Sequence, residues 1–278
     1  MPATVAQIER DVMLRGGVRL PRIGLGVFRA PRGEATRSAV AEALRLGYRH
    51  VDTARVYGNE HDVGAAIRES DVPRDEVFVT TKLWNDDQGY DAALRAFDGA
   101  LARLGLTHVD LFLLHWPVPG KRLDAWRALE RIRGEGRARA IGVSNFMVHH
   151  LEELLAHAHE PPSVNQIEVS PFLQQEDVRS HCARHGIVVE AYSPLTKGTR
   201  LSHPVVARIA ASTGHTPAQV LLRWGLQRDL VVLPKSTNPA RLAENLAALD
   251  LALDAADMAA LDGLEEGLVT GWNPRVAP

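Results

Sequence analysis

Eight short runs of β-branched and aliphatic residues recur along the chain about every 25 to 30 residues: 22–28, 49–54, 77–82, 109–115, 138–144, 163–169, 187–193 and 230–235. Between them lie longer stretches of helical period. In 90–105, Leu94, Phe97, Leu101 and Leu104 share one face and Gly105 is placed to end the helix. In 122–136, Leu123, Trp126, Leu129 and Ile132 do the same. Each interval is one strand-plus-helix unit, and the last is longer because it holds two helical segments. Eight such units in 278 residues point to a (β/α)8 TIM barrel, read as one domain over 1–278. A doubly wound open sheet is the alternative. Its glycine fingerprint is missing, because Gly24-Leu25-Gly26 lacks a third glycine and no helix follows it. Ahead of the first run, 12–23 reads as a β-hairpin turning at Gly16-Gly17, expected to cap the lower end of the barrel.

Acidic and basic residues are interspersed and the net charge is −2, so no basic stripe offers itself to nucleic acid and no polybasic segment to a membrane. No apolar window approaches the length of a bilayer span, and the expectation is a cytoplasmic monomer acting on a small molecule. The single cysteine, Cys182, excludes an internal disulfide framework and a multi-cysteine metal site. No metal site is expected. The histidines of 149–159, and His181 with His185, are read as solvated helix faces.

In a barrel of this kind the reactive side chains gather where strands run out into their loops. The expected strand exits deliver Asp52 with Tyr57 just beyond it, Lys82, His115, Ser144-Asn145, Gln166, Tyr192-Ser193 and Lys235-Ser236. The chain holds 28 arginines and only four lysines. An ammonium ending an apolar strand, as Lys82 does, therefore suggests a need for a compact, tunable cation. A free phenol titrates near 10, and a neighbouring ammonium lowers that value by stabilising phenolate, so Lys82 is expected to tune Tyr57 and Asp52 to hold Lys82 charged. With His115 donating a hydrogen bond, the four groups would protonate a carbonyl oxygen as it gains negative charge. The hydride must come from a cofactor. Lys235, Ser236 and Arg241 stand around a helix start that Pro239 opens, a geometry suited to phosphate. Tyr192 could stack on a planar ring, and Ser144, Asn145 and Gln166 could bind a carboxamide.

These residues carry a resemblance. Residues 47–64, 136–146 and 233–247 resemble, in order, the three signatures of the aldo-keto reductases, with Thr81-Lys82-Leu83-Trp84 and 113–117 between the first two. The chain looks like a short bacterial member, similar to the 2,5-diketo-D-gluconic acid reductases. The resemblance implies a barrel that reduces aldehydes or ketones with NADPH, with NADH the less favoured donor. It implies Tyr57 as general acid beside Asp52, Lys82 and His115. Ser144, Asn145 and Gln166 would hold the nicotinamide carboxamide and Tyr192 would stack on its ring. Ser193 and Leu195 would approach the pyrophosphate, Lys235, Ser236 and Arg241 the 2′-phosphate, and Glu244 with Asn245 the adenine. The loops after His115 and Tyr192 are short, which leaves an aromatic mouth of Phe28, Trp84, Trp116 and Trp272 for a carbonyl substrate. Trp126 and Trp224, inside helical patterns, are expected to be packing residues.

Overall fold

A computed structural model describes residues 8–276. The expected domain boundaries at 1 and 278 lie outside them. The chain opens with a two-stranded antiparallel hairpin, β1 (Asp11–Met13) and β2 (Arg19–Pro21), joined by a 3-10 turn over Arg15–Gly17. Eight strands follow: β3 (Leu25–Gly26), β4 (His50–Asp52), β5 (Phe78–Leu83), β6 (Val109–Leu114), β7 (Ala138–Ser144), β8 (Val164–Glu168), β9 (Val188–Tyr192) and β10 (Val231–Leu233). They pair in parallel, each with the next in sequence, and helices connect most of them. The ring closes between its ends, where Ile23 bridges Val232 and three backbone bonds span the seam. These run from Val232 N to Arg22 O (2.9 Å), from Gly24 N to Val232 O (3.0 Å) and from Gly26 N to Pro234 O (3.1 Å). The expected (β/α)8 barrel is the observed fold.

The first and last strands are shorter than the apolar runs that announced them. The run 22–28 is divided: Arg22 to Gly24 face β10 across the seam, and only Leu25 and Gly26 pair with β4. β10 stops at Leu233 because Pro234 has no N–H to donate, although its carbonyl still accepts from Gly26. The expected lower cap is present. Leu14, Val18 and Leu20 of the hairpin join Phe78, Val164 and Val231, the first residues of three barrel strands, in one buried cluster. The main core lies between sheet and helices, and Trp126 and Trp224 are both buried in it as packing residues.

One glycine of the first signature is explained by packing alone. A Cβ on Gly64, in the helix Glu60–Glu69, would sit 1.8 Å from the backbone carbonyl oxygen of Leu104, so two helices meet there at backbone distance. Gly64→Ala must push them apart, and overpacking of this kind costs roughly 1–3 kcal/mol. A fall in Tm of several degrees, with kcat retained in the folded protein, is the expected result of a thermal melt paired with an activity assay. Among the described residues no helix is long and apolar enough to cross a membrane.

Candidate active site

The exits of β4 and β5 meet at one ammonium. β4 ends at Asp52, and the chain stays extended through Ala54 before a 3-10 turn over Arg55–Tyr57 that Gly58 ends in the left-handed region (φ 68°). The five-residue gap thereby brings Asp52 and Tyr57 to the same Lys82 of β5. Lys82 Nζ lies 2.7 Å from both Asp52 Oδ1 and Oδ2, 3.0 Å from Thr53 O and 3.2 Å from Tyr57 Oη. The loop is held by Asn59, which accepts from Thr53 Oγ1 (2.8 Å) and donates to Val27 O (3.0 Å). Lys82 is 1% exposed and Asp52 4%, so this ion pair is screened by little water.

The electrostatics depart from the expectation in one respect. Burial raises the Tyr57 pKa, Lys82 lowers it and Asp52 raises it, and the net direction is upward. The ammonium does pull the phenol toward phenolate, but burial beside a carboxylate outweighs it. For Lys82 itself burial disfavours the charged form, yet Asp52 and Tyr57 together hold its pKa above the ordinary lysine value. His115, buried and next to that cation, is held well below its usual range, first by burial and then by Lys82, and is therefore neutral. Its ring meets Tyr57 edge-on at 5.8 Å and Trp84 at 5.3 Å.

A second cluster adjoins the first. Asn145 has a left-handed backbone (φ 65°), and its amide donates to His115 O and Ser144 Oγ, both at 3.0 Å. Its carbonyl accepts the Tyr192 hydroxyl at 2.8 Å. Ser144 Oγ donates to Gln166 O at 2.8 Å. Gln166 spends its two amide hydrogens on Asp52 Oδ2 (2.9 Å) and Glu190 Oε2 (2.8 Å), and its Oε1 makes no hydrogen bond among the described residues. After Tyr192 the backbone turns sharply: Ser193, Thr196 and Lys197 all have φ near +50°, with half-buried Leu195 between them. Three such residues in five store backbone strain of the kind that gathers at ligand clamps.

Farther out, Asn238 caps the helix Pro239–Leu246 by accepting from Ala240 N and Arg241 N, and Pro239 occupies its first turn as expected. Lys235 and Arg241 are exposed there, and Ser236 is buried with Oγ 3.0 Å from Asn238 N. Glu244 is partly committed elsewhere, accepting from Thr216 Oγ1 at 2.5 Å, and Asn245 is buried. The aromatic mouth is assembled from separate loops. Phe28 lies 4.9 Å from Tyr57, and Trp272, 68% exposed, lies 5.7 Å from Trp116 and 6.4 Å from Trp84.

Two histidines are not where the sequence placed them. His150 and His181 are buried rather than solvated; His150 Nδ1 accepts the Met147 N–H at the start of its helix. The sequence reading also passed over Glu190, His50 and Thr80, which lie inside the barrel beneath the convergence, and Glu168, whose Oε1 accepts from Thr270 N (3.0 Å). Period-two alternation, two residues back from Tyr192, Asp52 and Lys82 and two forward from Gln166, is the signal that could have found them.

Comparison with known proteins agrees with this geometry. The model of the Aldo/keto reductase family matches residues 22–266. The chain is 47% identical over 267 residues to glyoxal reductase of Bacillus subtilis, covering 96% of this chain and 97% of that one. It is 48% identical over 279 aligned residues to morphine 6-dehydrogenase of Pseudomonas putida, covering 95% and 94%. A crystal structure of an Asp-to-Ala variant of Gox0644 in complex with NADPH superposes with a TM-score of 0.92 at 43% identity, over 98% of this chain and 99% of that one. The chain belongs to the aldo/keto reductase family, whose members are oxidoreductases acting on carbonyl compounds.

Proposed function

We propose that the protein reduces aldehydes and ketones to alcohols with NADPH, Tyr57 giving the proton. The observation that carries the reading is the hydrogen bonding at Tyr57. An ammonium can only donate, so Lys82 at 3.2 Å gives a hydrogen to the phenolic oxygen and the phenol's own hydrogen stays unspent. A carbonyl oxygen gaining negative charge is the acceptor that such a hydrogen suits. Lys82, kept charged by Asp52, then steadies the phenolate left behind. His115, neutral, offers one N–H to orient the same oxygen, and Phe28, Trp84, Trp116 and Trp272 exclude water around an apolar or flat substrate.

Bound NADPH would supply the hydride, which no side chain can. The residues fit it. Ser144, Asn145 and the Oε1 of Gln166 would hold the carboxamide, and Tyr192, fixed through Asn145, would stack on the ring. The strained turn carrying Ser193 and Leu195 would approach the pyrophosphate, and Lys235, Ser236 and Arg241 the 2′-phosphate, with Glu244 and Asn245 near the adenine. The NADPH complex of the structural relative and the aldehyde named for the Bacillus enzyme support the cofactor and substrate class. One domain over 1–278, working as a monomer, suffices for this chemistry.

The test is NADPH oxidation by a nitrobenzaldehyde, matched mole for mole by the alcohol formed; no turnover with NADPH or NADH would overturn the reading. Cofactor choice has its own. Arg241→Ala is expected to raise the KM for NADPH about tenfold, a loss of about 1.4 kcal/mol, while the KM for NADH hardly moves. Equal losses with both cofactors would place Arg241 away from the 2′-phosphate.

A further inference from the structure

Beneath the proton-donor cluster the barrel holds a second polar layer. His50 lies two residues before Asp52, Thr80 two before Lys82 and Glu190 two before Tyr192, so each projects into the barrel like the residue above it. All three are fully buried. His50 Nε2 is 3.1 Å from Thr80 Oγ1 and 3.7 Å from Glu190 Oε1. Gln166 connects this layer to the one above, with one amide hydrogen on Glu190 Oε2 and the other on Asp52 Oδ2. Barrel interiors are ordinarily filled with branched apolar side chains, and a carboxyl group buried there without a cation of its own is costly. Among the described residues Glu190 Oε1 has no hydrogen-bond partner.

We propose that Glu190 is a positioning residue for the proton donor: through Gln166 it fixes Asp52 from inside the barrel, and with Asp52 the ammonium and the phenol above. The proposal rests on the reading of Tyr57 as that donor. Gln166 is held at both amide hydrogens by two carboxyl groups on opposite sides. Remove the inner one and the amide can turn about its long side chain, so Asp52 loses the one fixed donor it has besides Lys82 and the tetrad loses its floor.

The layer also makes the cluster sensitive to pH. Facing Glu190 are Asp52 and His50 from β4, Lys82 from β5 and Gln166 from β8, while β10 beside it is apolar throughout. Burial, then Asp52, push the Glu190 carboxyl up to about 8, with Gln166 and Lys82 acting against them. Burial holds His50 down to about 3, so it stays neutral. Below pH 8 Glu190 is uncharged and the cluster balances Asp52 against Lys82. Above it a second negative charge appears, which tightens the hold of Tyr57 and Lys82 on their protons. Proton donation, and with it reduction, falls as pH rises through about 8.

Two variants test the proposal in the full chain. Glu190→Leu removes the acceptor and is expected to lower kcat about tenfold with the aldehyde KM changed by less than about twofold. Glu190→Gln keeps an acceptor for Gln166 but cannot titrate; it should recover most of that kcat and flatten the decline of kcat between about pH 7 and 9. Wild-type kcat in Glu190→Leu, or a Glu190→Gln profile that declines as the wild type does, overturns the proposal. If Glu190→Leu does not fold, the Glu190→Gln profile decides alone. Tyr57→Phe run alongside separates the two failures: if it stays active the proton-donor reading fails, and if it is inactive while both Glu190 variants behave as wild type, only the role of Glu190 fails.

Discussion

Tyr57→Phe is expected to lose aldehyde turnover on the order of a hundredfold or more while NADPH still binds. The change deletes one oxygen. The ring keeps its packing between Phe28 at 4.9 Å and His115 at 5.8 Å, so the mouth of the site should hold its shape. Lys82 gives up its longest hydrogen bond and keeps both Asp52 oxygens and Thr53 O, so the ion pair survives. What disappears is the hydrogen that the phenol had free to give. The upward net shift of Tyr57 bears on the same experiment: burial keeps the phenol protonated beyond the ordinary tyrosine value, so the acid is loaded throughout the neutral range. Its loss should therefore be felt at every pH from 6 to 9 rather than at one end. Steady-state kcat with a reactive aldehyde, together with quenching of protein fluorescence by NADPH, checks both halves. Near-intact turnover in a variant that binds NADPH would mean that the proton comes from elsewhere.

The residues of the proposed proton-donor cluster were legible in the sequence because a parallel barrel delivers every strand exit to one rim. Order along the chain was then enough to collect Asp52, Tyr57, Lys82 and His115 before any distance was known. Gln166 was found by the same rule, but what its amide is bonded to was not, since that depends on Glu190 reaching it from the neighbouring strand. Glu190 was hidden because an ionisable residue in the middle of an apolar strand, here between Val189 and Ala191, has two faces to choose between, and His50 because it opens β4, where the residue types do not say whether its ring turns inward. The direction of the Tyr57 shift went unread for a different reason: residue types name the ammonium, but the depth of burial that outweighs it belongs to packing. The shortness of β3 is similar, because the seam of a closed ring is a property of the ring and not of the run 22–28. His150 and His181 fail in the other direction, since helix faces turned toward the barrel can bury a histidine whose ring caps or packs locally.

Lys82→Met is the change expected to cost most, because it removes at once the cation proposed to steady the phenolate and the partner of a buried carboxylate. Asp52 would keep Gln166 Nε2 at 2.9 Å as its remaining side-chain donor, while its charge, 4% exposed, would have no counter-charge within reach. Leaving one half of a buried pair uncompensated typically costs 3–5 kcal/mol, which for a chain of this size is a fall in Tm of roughly 6–15 °C. Arginine should not rescue it: the slot around Nζ is fully enclosed, and a planar guanidinium cannot reach Asp52, Thr53 O and Tyr57 from one point. The double variant Asp52→Asn/Lys82→Met distinguishes the two losses. With both charges gone the burial penalty of the lone carboxylate goes too, so the double variant should melt well above Lys82→Met and near Asp52→Asn, a coupling that a double-mutant cycle reads directly. Turnover should stay lost in all three, by about a hundredfold or more for both Lys82 variants, because no cation then stands beside the phenolate. Recovery of kcat along with Tm in the double variant would make the Asp52–Lys82 pair a scaffold and deny it a part in the proton transfer.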